Sequence, residues 1–115
     1  MDGPPIAASL DVKANDGFQF SFRVTNNEPR KIELLFPSGQ THDFVVIDSV
    51  GREVWRWSEG RMFTQVVQNK VLDSRASLTW DATWHPEVPP GRYTAVASLL
   101  SENKPLEERI SFDVR

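Results

Sequence analysis

Residues 18–26 read Phe-Gln-Phe-Ser-Phe-Arg-Val-Thr-Asn, and their alternation decides the fold class. Successive side chains of an extended chain point to opposite faces. Phe18, Phe20, Phe22 and Val24 therefore share one face, and Gln19, Ser21, Arg23 and Thr25 share the other. A helical period would mix the two sets. The stretch reads as a half-buried strand, and Asn26-Asn27-Glu28-Pro29 ends it with turn formers.

The same period continues in both directions. A strand is expected upstream, over Ile6 to Lys13. Downstream, Ile32, Leu34 and Phe36 alternate until Pro37-Ser38-Gly39, and Phe44-Val45-Val46-Ile47 is a short apolar run suited to a strand covered on both faces. Asp48-Ser49-Val50-Gly51 is a hairpin-length turn from which Arg52 to Trp57 returns. Gln65 to Leu72 gives a weaker strand signal. Leu78, Trp80, Ala82 and Trp84 share a face, as do Tyr93, Ala95, Ala97 and Leu99, and then Ile110, Phe112 and Val114. No segment keeps a helical period over three turns, and the eight prolines sit at strand ends. Roughly eight short strands with turn signals every ~8–12 residues predict an all-β, antiparallel two-sheet sandwich.

Composition narrows the function classes. The 115 residues suit one domain, expected over residues 6–115 behind a flexible segment at 1–5. A net charge of −3 argues against a general nucleic-acid binder, which needs a basic stripe against the phosphates. Without cysteine there is no disulfide framework, thiolate nucleophile or Cys-based zinc site. His42 and His85 lack diagnostic metal spacing, and His42-Asp43, as strand neighbours, point to opposite faces and form no catalytic relay. The sequence therefore predicts no enzyme, no cofactor and no metal site. No apolar run is long enough to span a bilayer. Met1-Asp2-Gly3-Pro4-Pro5 lacks the basic and apolar segments of a signal peptide. The expectation is a cytoplasmic protein if the chain is whole, and an extracytoplasmic one if a signal has been removed. The oligomeric state is left open.

Val54-Trp55-Arg56-Trp57 places two indoles on one strand face, with Val54 and Arg56 on the other. The indoles either form a carbohydrate or peptide platform or fill the space between the sheets. Burial of roughly 150–250 Å² per aromatic favours core or core-edge in so small a domain. Ser58-Glu59-Gly60-Arg61 is then a turn, Phe63 re-enters the core, and Glu59, Gly60, Arg61 and Met62 remain as contact surface.

At these motifs the chain resembles the BsuPI family of intracellular proteinase inhibitors. Phe22-Arg23-Val24-Thr25-Asn26 is similar to the family's strand ending in V-x-N. Leu35 to Val46, with Ser38-Gly39-Gln40 and Asp43-Phe44, resembles its F-x-S-G-Q-x-x-D-F-x-V core, and Gly51 to Ser58 its G-x-x-V-W-x-W-S segment. Phe63-Thr64-Gln65, Trp80 and Pro90-Gly91-Arg92-Tyr93 follow in order. The resemblance covers about residues 17–100. It implies an immunoglobulin-like sandwich and inhibition of an intracellular serine protease of the subtilisin type.

Ser38, Gly39, Gln40, Asp43, Phe44, Trp55, Trp57, Phe63, Gln65 and Tyr93 are read as structural members of these motifs. Gly39 is taken as a source of positive φ. Thr41 and His42 are left to the surface. Tyr93 is read as a tyrosine corner, its hydroxyl bonding backbone at a strand entry. Two loops are candidates for protease contact: Ser58 to Met62, and the proline-stiffened stretch His85, Pro86, Glu87, Val88 and Pro89 that runs on to Arg92. The competing readings are a cell-envelope accessory or interaction sandwich without inhibitory activity, and a carbohydrate-binding module.

Overall fold

The computed structural model describes residues 5–115. The segment expected to be flexible at 1–5 lies outside the described residues, save Pro5, whose carbonyl accepts the Asn27 N–H at 2.8 Å. Nine strands follow in order: β1 (Ile6–Ala14), β2 (Phe18–Asn26), β3 (Ile32–Phe36), β4 (His42–Ile47), β5 (Glu53–Arg56), β6 (Gln68–Leu72), β7 (Ser77–Trp84), β8 (Gly91–Leu99) and β9 (Leu106–Val114). Among the described residues there is no helix, and so none long and apolar enough to cross a membrane.

All pairings are antiparallel, as short connections between neighbouring strands allow. One sheet has the order β1-β2-β7 and the other β5-β4-β8-β9, with β3-β6 as a separate ribbon. The strand count is one above the expected eight, and hydrogen bonding divides the chain into three sheets rather than two. The alternation of β2 puts Phe20, Phe22 and Val24 fully inside, opposite Phe44 and Val46 of β4. Ala95 and Ala97, paired with Val46 and Phe44 in β8, are equally buried. Small residues beside large rings let the two layers interlock at interior density. Leu34 and Phe36 of β3 and Leu72 of β6 join the same core.

Side-chain amides hold the connections. Asn26, fully buried, donates through Nδ2 toward the carbonyls of Arg30, Leu72 and Asp73 at 2.9–3.2 Å and accepts the Glu28 N–H at 2.8 Å. It thereby joins the β2–β3 connection to the β6–β7 connection. Asn103, in the β8–β9 connection, accepts the Leu35 N–H at 3.0 Å and donates to the Glu33 carbonyl at 2.8 Å, so it lies along the free side of β3.

Candidate functional site

β4 presents neighbouring residues to different surroundings. His42, Phe44 and Val46 face the core, while Asp43 faces outward beneath the chain that leaves β5. The Asp43 carboxylate accepts hydrogen bonds from the Ser58 hydroxyl (2.6 Å), the Ser58 N–H (3.1 Å), the Phe44 N–H (2.9 Å) and Arg56 (2.9 Å). It is only 5 % exposed although it faces outward, because this turn covers it. Arg56 also pairs with Glu53 at 2.7 Å, and Glu53 and then Asp43 raise its already high pKa further. A register shift at Val46/Ile47 makes that second pair possible. Val54 is the extra residue, so Glu53 and Arg56 reach the same face. The expected placing of Val54 on the outer face is corrected: it packs against the core.

Beyond Arg56 the chain makes two successive turns, closed by Glu59 N–H to the Arg56 carbonyl (3.2 Å) and Arg61 N–H to the Ser58 carbonyl (3.1 Å). Gly60 has φ 80°, where a β-carbon would be strained, and an exposed tip results. A stack of four side chains fixes the tip to the core. The His42 ring packs against Trp57 (centroids 4.5 Å apart) and Trp80 (4.9 Å), and the Arg61 guanidinium carbon sits 4.3 Å from the centre of the Trp57 ring, over its face. Arg61 Nε also donates to the Trp57 carbonyl at 2.8 Å. Burial, and less strongly the Arg61 charge, lower the His42 pKa from 6.5 to about 4 against the opposing pull of Asp43. The assignment of Thr41 and His42 to the surface is thus corrected. His42 is buried, and the half-buried Thr41 hydroxyl meets its Nδ1 at 2.9 Å.

Phe63 is half-buried and leans on Trp57, 6.0 Å between centroids, without joining the core as expected. Between Arg61 and Phe63, Met62 is 97 % exposed. The chain from residue 61 to 67 is irregular, and Thr64 accepts the Gly39 N–H at 2.8 Å. Gly39 owes its place to this contact and not to positive φ. A β-carbon there would collide with the Thr64 hydroxyl and lie 3.2 Å from its nitrogen. Ser38 and Gln40 staple the loop as expected, with Ser38 Oγ accepting the Gln40 N–H at 3.1 Å and Gln40 Nε2 donating to the His42 carbonyl at 3.0 Å. Gln65 is exposed and reaches only the Phe63 carbonyl, at 3.5 Å.

The paired indoles form no platform. Trp55 stacks against Phe20 and Trp84, each 6.0 Å away, and Trp57 against His42. At the other candidate loop, Tyr93 donates its hydroxyl to the Pro89 carbonyl at 2.7 Å, which is the expected tyrosine corner. Val88 packs on the core, while His85 and Glu87 are exposed. This loop presents no large apolar side chain comparable with Met62. The two loops are not brought together into one site by any contact described. Sequence reasoning missed the structural weight of Asn26 and Asn103, and it missed Val66 and Val67, which are 68 % and 67 % exposed. A buried asparagine at a strand end has no periodic signature, and an exposed valine reads like a buried one.

A family model described as "BsuPI: Intracellular proteinase inhibitor" matches residues 6–104. No curated protein matches the chain. Among solved structures, a putative ApaA protein from Bordetella pertussis is 15 % identical with a TM-score of 0.46, the match covering 95 % of this chain and 89 % of that one. A structural-genomics target is 13 % identical with a TM-score of 0.44, the match covering 96 % and 86 % respectively.

Proposed function

The chain belongs to the BsuPI family of intracellular proteinase inhibitors, and from that premise we propose that it is a non-catalytic domain that binds and blocks a serine protease of the subtilisin type. The turn Glu59 to Met62 is the contact. The observation that carries this choice is the contrast between Met62 and its neighbours. Met62 is 97 % exposed, while Arg61 and Phe63 on either side are both held against Trp57. A loop ordered before it meets its target loses less entropy on binding.

The same contrast selects the side chain that enters the enzyme. Arg61 is occupied within the molecule by its stack and its bond to the Trp57 carbonyl. Met62 is apolar, unbranched and adaptable, and suits an apolar pocket rather than one built for a cation. The family's description as intracellular makes the cytoplasm the compartment in which the target is to be sought.

Titration against an intracellular subtilisin-type protease, followed by peptide hydrolysis, tests the reading. The expected result is stoichiometric loss of activity. Met62→Ala should leave the unfolding midpoint unchanged and weaken inhibition by about 10–100-fold, as removal of an anchoring side chain does. Undiminished hydrolysis with the wild-type protein would remove the proposed activity. Full potency in Met62→Ala would move the contact to His85–Pro89.

A further inference from the structure

We propose that β6 is the edge through which two copies of this chain pair, antiparallel and about a twofold axis at Asn69. The argument begins with the direction of the backbone groups in β3. The Leu35 N–H and carbonyl bond Asn103 Oδ1 (3.0 Å) and Glu102 N (2.8 Å), and the Glu33 carbonyl bonds Asn103 Nδ2 (2.8 Å). Glu33 and Leu35 therefore point away from β6. In an antiparallel pair, residues that exchange both bonds alternate with residues that exchange none. Ile32, Leu34 and Phe36 must then be the residues that bond Leu72, Lys70 and Gln68. The backbone groups of Asn69 and Val71, and of Val67 one step upstream, are directed to the other side, where no strand lies among the described residues.

The chain thus covers one edge of this ribbon and leaves the other open. Natural sheets blunt an open edge with proline, bulges or several charges. Residues 66–72 read Val-Val-Gln-Asn-Lys-Val-Leu, with one charge and no proline, and the β3–β6 register is unbroken. Among the described residues, three of the five exposed large apolar side chains, Val66, Val67 and Val71, are found here.

The sequence itself selects a second copy as the occupant. Residues 67–71, Val-Gln-Asn-Lys-Val, read nearly the same in both directions. Antiparallel pairing centred on Asn69 sets Val67 against the partner's Val71 and Val71 against the partner's Val67. It sets Gln68 against Lys70, so no like charges meet. A twofold contact makes every such pair twice. The two Val–Val pairs lie on one face with the paired asparagines between them, an arrangement that favours β-branched cross-strand neighbours. An unrelated strand would gain the backbone bonds but not this matching. The contact is small, and the expected dissociation constant lies at about 1–100 μM.

Sedimentation velocity over a concentration series tests the pairing. The wild-type protein should pass from monomer to dimer. Val67→Lys with Val71→Lys, at exposed positions that leave the core intact, should weaken association by about tenfold or more, with an unchanged circular dichroism spectrum. The chain has no cysteine, so an introduced thiol gives an independent measure. Asn69→Cys should oxidise to a disulfide-linked dimer, because a bonded antiparallel pair places Cα atoms about 5.5 Å apart. Glu33→Cys, three strand spacings from its counterpart at about 4.8 Å each, should not. A wild-type protein that stays monomeric overturns the proposal, and so does a dimer indifferent to the two lysines. If a monomeric wild type loses protease inhibition on those substitutions, the edge belongs to the protease and not to a second copy. Inhibition and pairing are read separately, so either can fail alone.

Discussion

His42 and Asp43 are adjacent, and the strand sends them to opposite faces with opposite electrostatic demands. The His42 ring is packed against two indoles as the neutral form, with a pKa of about 4 in place of 6.5. The unfolded chain therefore takes up a proton at higher pH than the native one does. Stability is full above pH 6.5 and falls as the pH drops toward 4, by about 3 kcal/mol in all. Urea unfolding at successive pH values should show this slope in the wild type and not in His42→Phe, which keeps the stack without the titration. Parallel curves would refute it. Asp43 has the reverse role, a buried acceptor that must stay bonded. Asp43→Ala removes its bonds to Ser58 and Arg56 and should cost about 2–3 kcal/mol, measured as a lower denaturant midpoint. It should also weaken inhibition, because the turn loses its attachment to β4.

At the scale of strands and turns, periodicity was a sufficient guide where one face is buried. The inward residues of β2, β8 and β9 fall where the alternation of Phe20, Tyr93 and Phe112 places them. The reading failed where geometry departs from period two. The bulge at Val46/Ile47 turned Val54 to the core, and no sequence pattern marks it. Gly39 was legible as a required glycine but not for its reason, since contact with Thr64 depends on a segment distant in sequence. A turn after Trp57 was legible from Ser58-Glu59-Gly60-Arg61, and Gly60 takes positive φ there, yet the stack over His42 is a tertiary arrangement that spacing does not encode. Tyr93 was legible because Pro90-Gly91 fixes the strand entry. Tyr93→Phe removes the hydroxyl bond to Pro89 and should lower stability by about 1 kcal/mol while inhibition stays at wild-type potency. Equal stability with lost inhibition would instead assign the tyrosine to the contact surface.

For the molecule as a whole, one core cluster draws on all three sheets, so no part of the sandwich holds an independent interior. Phe22→Ala, at a fully buried ring, should cost about 3–5 kcal/mol, a large share of the roughly 5–15 kcal/mol that holds a domain folded. Circular dichroism and proton resonances from distant strands should lose structure at the same lowered midpoint. Separate transitions for β3-β6 and the remainder would contradict a single core. The column of rings under the Glu59–Met62 turn has an optical consequence. Trp57 carries the Arg61 guanidinium over its ring and packs against the His42 imidazole. A protein that grips the tip and pulls the guanidinium away would change the light emitted by that indole, so the domain carries its own reporter of capture.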